Sequence, residues 1–532
     1  MGRGEGSESG FVMARWIHHG LVVVFAFVCV WWIFYEPYSP DRLLRPIPAG
    51  STWVGRHDNL GERWPDMLRN PVVESTLLGF GMDEQELRTL PENKSLKRWM
   101  NLLGGRRIVG AYVPSMGPEA EPAWVMTSWV GGGGYGVRAI TAFIPVKGLS
   151  KLYRHHGRLV WTYDLGGDAQ DPILQVVITE GILIACYSRD KGAMKDLLDH
   201  YDGYLRGISR IEVGPVMRLA EWADGYADCG YAYLPYTSTL LYRIDRFDDQ
   251  RVCGDLMSRG LPTSSKGLDA ESGNSELKRL LGNIPLGMLA LPMDLVADIC
   301  MNRTSSQFPQ IIGTMLANVH ADMATLALLG GDYRGTLQKV RVPTFLVAAR
   351  IPDRDQANML AQGLVNQANG FKKLGLVPES VESAYPLFAL GSTSKQPYMQ
   401  FPRQDQVGYA MIGDLLVICS NFGVLDSLVK RYDTRVATFE SEQGEWLREF
   451  KERHHQGFFW MNATRSGKAV KETLTAWSLT LLLNADTKER QRVAAIDDAK
   501  IWVDRLMHLE TIRAWHRLED ERNQVRFELG PR

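Results

Sequence analysis

The feature that most constrains this chain is a block that occurs twice. Gly181–Asp202 reads GILIACYSRDKGAMKDLLDHYD and Asp414–Asp433 reads DLLVICSNFGVLDSLVKRYD. In each, an apolar run reaches a cysteine (Cys186, Cys419), a glycine follows (Gly192, Gly423), and a leucine-rich segment ends in Tyr-Asp. The run has the length of a buried strand and the leucine-rich segment the spacing of an amphipathic helix. A strand, a turn and a helix are therefore expected twice, about 230 residues apart.

Further correspondences extend the pattern. Pro48-Ala49-Gly50, before a strand expected at Ser51–His57, answers to Pro285-Leu286-Gly287, and Gly230–Pro235 answers to Gly457–Met461. Repeat one is expected to hold a helix at Ser95–Leu103 and strands at Ile108–Val113, Ala123–Val130 and Val137–Ile144. Its counterparts in repeat two are Met323–Leu329, Leu337–Val342 and Thr344–Ile351. Short strands with turn-sized connections favour antiparallel pairing, because parallel pairs need long crossovers. Beyond Asn462, helices at Gly467–Leu483 and near Arg490–His508 and strands at Thr511–Leu518 and Gln524–Leu529 have the order of the opening of a repeat. The chain of 532 residues thus divides into an α+β repeat at 48–259, a linker at 260–273, a second α+β repeat at 274–456 and a partial third unit at 457–532.

The N-terminus has a different character. Residues 1–15 are polar and Gly/Ser-rich, the composition expected of a disordered tail. Trp16–Tyr35, WIHHGLVVVFAFVCVWWIFY, lacks Asp, Glu, Lys and Arg and is long enough to cross a bilayer as a helix. Trp31, Trp32 and Tyr35 stand at its far end, where aromatic rings prefer the lipid–water boundary. No small-residue cleavage site follows, so the segment has the features of an uncleaved signal anchor, with 36–47 as a connector. Lys and Arg flank the span evenly, but a long domain behind one N-terminal anchor is most often exported. The expected place is the cell membrane, single-pass, with the large domain on the extracytoplasmic side. The expected fold class is α+β: an N-terminal transmembrane helix, two tandem repeats of antiparallel sheet with packed helices, and a partial third unit.

Composition excludes some chemistry. Lys and Arg number 60 against 61 Asp and Glu, so no bulk field favours a nucleic-acid partner. The six cysteines form no CxxC and no zinc-type spacing with histidine, so neither a metal nor a cofactor is expected. Cys186 and Cys419 are expected as small buried hydrophobes, and pairing among Cys229, Cys253 and Cys300 is left open.

Gly131–Gly136, GGGGYG, fits G-x-G-x-x-G, but the alternating VRAITAFIPV that follows has the period of a strand, not of the helix a dinucleotide site needs. With Trp129, Gly131, Gly133, Tyr135 and Gly136 it is a candidate binding loop. The pairs His18-His19, His155-His156 and His454-His455 are adjacent, and neighbours on a strand point to opposite faces, so they are expected as surface or interface residues. Ser188-Arg189-Asp190-Lys191 and Ser392-Thr393-Ser394-Lys395 match S-x-x-K without its companion motifs. Asp164, Asp168, Asp171, Asp353 and Asp355 are expected as loop acids, and the sequons at Asn93, Asn302 and Asn462 carry no functional weight.

The apolar N-terminal run, PIPAGSTWVGRHDNL, PAWVMTSWVG and the recurring GILIACYSRD block together resemble uncharacterised membrane-anchored bacterial envelope proteins with a duplicated domain of unknown function. The resemblance implies a bacterial, exported α+β protein and brings no catalytic residue. The expected function is a membrane-anchored extracytoplasmic binding or scaffold protein, its partners the membrane through residues 16–35 and an envelope protein, lipid or glycan. The alternative is an envelope hydrolase whose site is assembled from dispersed residues.

Overall fold

Along Ala123–Trp129 the side chains alternate: Ala123, Val125 and Thr127 are buried, Trp124 is exposed and Met126 is half-buried. A period of two is the mark of a strand in an antiparallel sheet, and here the alternation ends at Ser128, which is fully buried on the second face. The computed structural model describes residues 37–48, 50–79, 83–114, 121–132, 134, 149–164, 172–206, 225–233, 239–258, 274–281, 285–302, 307–329, 343–372, 375–392, 402–432, 457–483 and, with gaps, 493–530. The chain divides into two compact units, Met1–Trp64 with Glu92–Thr239 and Pro65–Pro91 with Leu240–Arg532.

The first unit contains β1 (Trp53–Asp58), β2 (Arg107–Val113), β3 (Ala123–Trp129), β4 (Leu149–His155), β5 (Arg158–Asp164), β6 (Ile173–Thr179), β7 (Ile182–Ser188) and β8 (Asp228–Tyr233). They pair antiparallel in the order β4-β5-β6-β7-β3-β2-β1-β8. Helix α1 (Leu60–Arg69) starts in this unit after β1, α2 (Lys94–Gly104) precedes β2, and α3 (Ala193–Leu205) follows β7. Two hairpins close through two-residue turns with both residues left-handed, His156-Gly157 (φ 46° and 75°) and Glu180-Gly181 (φ 48° and 74°). That backbone matches the right-handed twist of the strands it joins. Helix α3 buries Met194, Leu197, Leu198 and Tyr201 completely, the i, i+3, i+4, i+7 stripe read from the sequence. Each such leucine contributes about 1.5–3 kcal/mol of burial. The described part of the expected connector 36–47 is also packed: Leu43 is fully buried and its carbonyl accepts the Thr127 hydroxyl at 2.7 Å.

The second unit is built on β9 (Thr239–Phe247, all but its first residue), β10 (Val252–Ser258), β11 (Pro285–Pro292), β12 (Met323–Leu329), β13 (Thr344–Arg350) and β14 (Leu376–Val381). It continues with β15 (Leu387–Ser392), β16 (Gly408–Ile412), β17 (Leu415–Cys419), β18 (Gly457–Asn462), β19 (Thr511–Glu519) and β20 (Arg522–Gly530). The antiparallel order is β9-β10-β20-β19-β18-β11-β12-β13-β17-β16-β15-β14. One face carries the core: Leu277, Leu280 and Leu281 of α4 (Asn274–Leu281) pack with Ala327, Leu346, Val417 and Cys419 from the strands. Leu425, Leu428 and Tyr432 of a later helix, Phe422–Tyr432, join them. On the other side Ala357, Leu360, Ala361 and Val365, in the helix Arg354–Lys372, cover Tyr409, Met411 and Leu416.

The expected fold class is corrected by this architecture. The described residues form antiparallel ladders of eight strands in the first unit and twelve in the second, twenty strands in all, with some helices. No helix among them is long and apolar enough to cross a membrane, and the expected span, residues 16–35, lies outside the described residues. The C-terminal strands are not the start of a third unit. β18 pairs with β11, β19 pairs with β18 and β20, and β20 pairs with β10, so all three lie inside the ladder of the second unit. The physical reason is that period-two alternation identifies a strand but carries no information about its partner. The pairing orders also supply the right comparison for these strands. β11 lies between β12 and β18 as β1 lies between β2 and β8, and the hairpin β19–β20 follows β18 in the chain as β9–β10 follows β8.

Cys186 and Cys419 are buried in β7 and β17, and burial pushes their thiols up to about 12 and about 11. They are packing residues, as expected. Among the described residues no disulfide joins Cys229, Cys253 or Cys300.

Candidate functional site

One face of the first unit carries an aromatic row at its edge; further along the same face Trp161, Ile178, Leu183 and Ala185 are buried, and Leu174 and Tyr163 pack against them. The register places Trp53 opposite Tyr112, Tyr112 opposite Trp124, Trp124 opposite Tyr187, Tyr187 opposite Leu174 and Leu174 opposite Tyr163. Residues directly opposite on adjacent strands share a face, so six strands contribute one side chain each to a line across the sheet. The line is in ring contact at one end: Tyr112 and Trp124 have centroids 4.9 Å apart, and Trp53 and Trp124 meet edge-to-face at 5.7 Å. Trp124 keeps 46% of its surface in water and Tyr187 39%, although rings of this size are usually covered. Beside the row, Gly55 is opposite both Gly110 and Gly230, so the backbone of β8, β1 and β2 is bare there. In the second unit the exposed facing pair is aliphatic, Leu326 and Val347.

Four residues along β1 from Trp53, His57 lies on the same face, roughly 13 Å away at strand rise. Its Nδ1 is 2.8 Å from Oδ1 of Asp228 on β8, and Arg63 of α1 donates to Asp228 Oδ2. Asp228 is only 2% exposed. Burial pushes its carboxyl up, but the hydrogen bonds and charges of His57 and Arg63 outweigh it and hold the group below the ordinary range. Arg107 grips Asp58 with two hydrogen bonds, 2.6 and 2.9 Å, at the adjoining strand ends. A histidine oriented by a buried carboxylate is half of a general-base arrangement. The other half is lacking: among the described residues no hydroxyl or thiol is hydrogen-bonded to His57 Nε2. The neighbouring Cys229 is fully buried with its thiol pushed up to about 11. The network fastens β1, β8 and α1 together.

A third cluster sits at the β4–β5 turn. His155 Nε2 is 2.7 Å and His156 Nε2 2.8 Å from the same oxygen, Oδ1 of Asp199 on α3, and the two rings meet edge-to-face at 4.2 Å. All three donor atoms lie within 4.8 Å of one another, the separation of groups that could ligate one metal ion. The adjacency argument that kept these histidines apart holds for a strand. It fails here because His156 is left-handed (φ 46°), which brings its ring round to the side of its neighbour's. His-His-Gly between two alternating segments was the signal, a turn of two left-handed residues ending in glycine. One turn along α3 from Asp199, Asp202 binds Arg158 at 2.7 Å. That hydrogen bond, with the charges of Arg158 and His156, holds the Asp202 carboxyl below the ordinary range against burial.

Of the candidate loop, Trp129 and Gly131 are described. Trp129 and Gly131 are buried, and Trp129 packs edge-to-face on Tyr38 at 5.4 Å. Gly131 is left-handed (φ 51°) and its N–H donates to the Gly181 carbonyl, 2.8 Å, as does that of Val130, 3.0 Å. Gly133, Tyr135 and Gly136 lie outside the described residues, as do His18-His19, His454-His455, Asp168 and Asp171. Ser188 of the first S-x-x-K is a turn residue: its hydroxyl donates to Pro122 O and accepts from Asp190 N, both at 3.0 Å. Asp353 caps the helix after it, accepting from the N–H groups of Asp355 and Gln356. The sequon residues Asn93 and Asn462 likewise accept N–H groups at the start of helices. No protein-family model, curated protein or solved structure matches this chain.

Proposed function

We propose that the protein is an extracytoplasmic binding protein of the cell envelope that holds a glycan on the exposed end of the β1, β2, β3 and β7 face, where Trp124 and Tyr187 stand in water. The observation that carries this is the row Trp53, Tyr112, Trp124 and Tyr187, in which Trp124 and Tyr187 are exposed and Trp124 is in ring contact with Trp53 and Tyr112. Large aromatic groups left in water on a rigid sheet mark contact surfaces. Indole and phenol rings offer flat apolar faces with polar edges, the character of a pyranose ring with its C–H faces and rim of hydroxyls. A lipid would be met as well by aliphatic groups, and these faces are mainly aromatic. The apolar run Trp16–Tyr35 supports a place at the membrane. A hydrolase would need a nucleophile or a pair of acids beside the rings, and the charged groups nearest along β1 are engaged with one another.

The test is titration of the full-length protein in detergent with β-linked hexose and N-acetylhexosamine oligosaccharides, followed by tryptophan fluorescence. A saturable change is expected, weakened at least tenfold in Trp124→Ala, about 1.4 kcal/mol. A flat response to every oligosaccharide would overturn the glycan. Capture of a defined protein partner that Trp124→Ala abolishes would replace it with a protein-docking face.

A further inference from the structure

We infer that the tip of the β4–β5 hairpin and α3 form a binding site for a divalent transition-metal ion of the zinc class, held by His155 Nε2, His156 Nε2 and Asp199 Oδ1. Two imidazole nitrogens and one carboxylate oxygen suit zinc and its neighbours and poorly suit calcium or magnesium, which prefer all-oxygen shells. The donors already converge. Both ring nitrogens stand 2.7–2.8 Å from the carboxylate oxygen, several tenths of an ångström short of the roughly 3.4 Å that separates tetrahedral ligands placed about 2.0–2.2 Å from one ion. A small outward movement of each group would admit the ion between them.

The convergence is built by the backbone. His155 ends β4, and the left-handed pair His156-Gly157 turns the second imidazole onto the first, with Gly157 at φ 75°. Asp199 is presented by a helix whose opposite stripe is fully buried, so its position is fixed by the core. The side chains of His156 and Asp199 are 44% and 54% exposed, so an ion has access from solvent, and water can complete its shell. Asp202 Oδ2, 3.9 Å from His156 Nδ1, stands where an outer carboxylate would orient a ligating imidazole through its second nitrogen. Bound there, the ion ties the hairpin tip to α3. This site is separate from the aromatic row and does not depend on the glycan reading.

The experiment uses the full-length protein, freed of metal with a chelator and titrated with Zn2+ by calorimetry and with Co2+ by absorption. One equivalent with affinity in the micromolar range or better is expected, with Co2+ bands of a mixed N/O site. His155→Ala/His156→Ala and Asp199→Asn should each remove that equivalent or weaken it at least a hundredfold, with the far-ultraviolet circular dichroism unchanged. Gly157→Val keeps every ligand but strains the left-handed turn, and should weaken binding about tenfold or more. Equal stoichiometry and affinity in the wild type and the double-histidine variant would overturn the site, as would binding only in the millimolar range.

Discussion

The indole of Trp53 lies over Gly110: a Cβ built on that glycine would stand 3.1 Å from Cζ3 and 3.2 Å from Cη2 of the ring. The two residues are on paired strands, Gly110 opposite Gly55 and Trp53 opposite Tyr112, so the ring leans along the sheet across the bare backbone of its neighbour. That lean carries Trp53 into contact with Trp124 two strands away. The aromatic row depends on a residue that has no side chain.

Gly110→Val should therefore disturb the row without touching an aromatic residue. The branched side chain occupies the place of the indole edge, and the ring must lift. The expected outcome is loss of the Trp53–Trp124 exciton signal in circular dichroism. Global unfolding should shift little, because valine suits a strand and the ring is only partly buried. An unchanged exciton signal in a folded variant would show that the contact does not need Gly110.

Asp228→Asn tests the clamp at the far end of β1. The folded carboxyl is held below its unfolded value, so its contribution to stability is fully present above the ordinary carboxylate range and is lost as pH falls through the folded value. At about pH 7 the variant should lose about 1.5–3 kcal/mol, the worth of hydrogen bonds to a charged group. By about pH 3, the gap between the two proteins should have narrowed. Urea denaturation at both pH values measures it, and a gap independent of pH would show that the charge of Asp228 is not what stabilises the site.

Some of this was legible in the chain. The block from Ile182 to Tyr201 gives a strand and a helix whose buried stripe is the one its spacing shows, because burial and periodicity are local properties. Partner choice is not local. Trp53, Tyr112, Trp124 and Tyr187 are scattered through the sequence, and only strand register makes a row of them. The same limit hid the place of β18, β19 and β20. Conversely Trp129 looked like a ligand residue because glycines follow it. The hydrogen bonds from Val130 and Gly131 to Gly181 instead tie that stretch to the β6–β7 turn, and the ring goes inward. His155 and His156 lie at the surface as expected, but the strand rule that kept their rings apart fails at a left-handed turn.

Deleting Thr511–Arg532 tests the corrected architecture. A separate third unit at 457–532 would leave β10 intact, whatever became of β18. The ladder predicts otherwise, because β19 covers one edge of β18 and β20 covers one edge of β10, with Trp515 part of the same core as Phe458 and Trp460. Two interior strands would become edges, which invites aggregation. The expected result is loss of hydrogen-exchange protection at both β10 and β18 in whatever truncated protein remains soluble. Full protection of both strands would mean that the C-terminal hairpin is dispensable.

Tyr201, from the recurring Tyr-Asp, gives an alkaline counterpart to Asp228. It is fully buried, its hydroxyl donates to Glu180 Oε2 at 2.9 Å, and the Arg158 guanidinium lies 5.3 Å from its ring centre. Burial, then the hydrogen bond and charge of Glu180, raise its pKa far above that of a free phenol. A raised folded pKa means that this contribution is fully present below the unfolded value, about 10, and declines as pH rises above it, because the unfolded chain ionises first. Tyr201→Phe should cost about 1–2 kcal/mol near pH 8, where Glu180 loses its donor. The variant should then lose less stability than the wild type between about pH 8 and about pH 10.5, since its unfolded state has one phenol fewer to ionise. Parallel curves across that range would show that the Tyr201 proton takes no part in holding α3 against the β6–β7 turn.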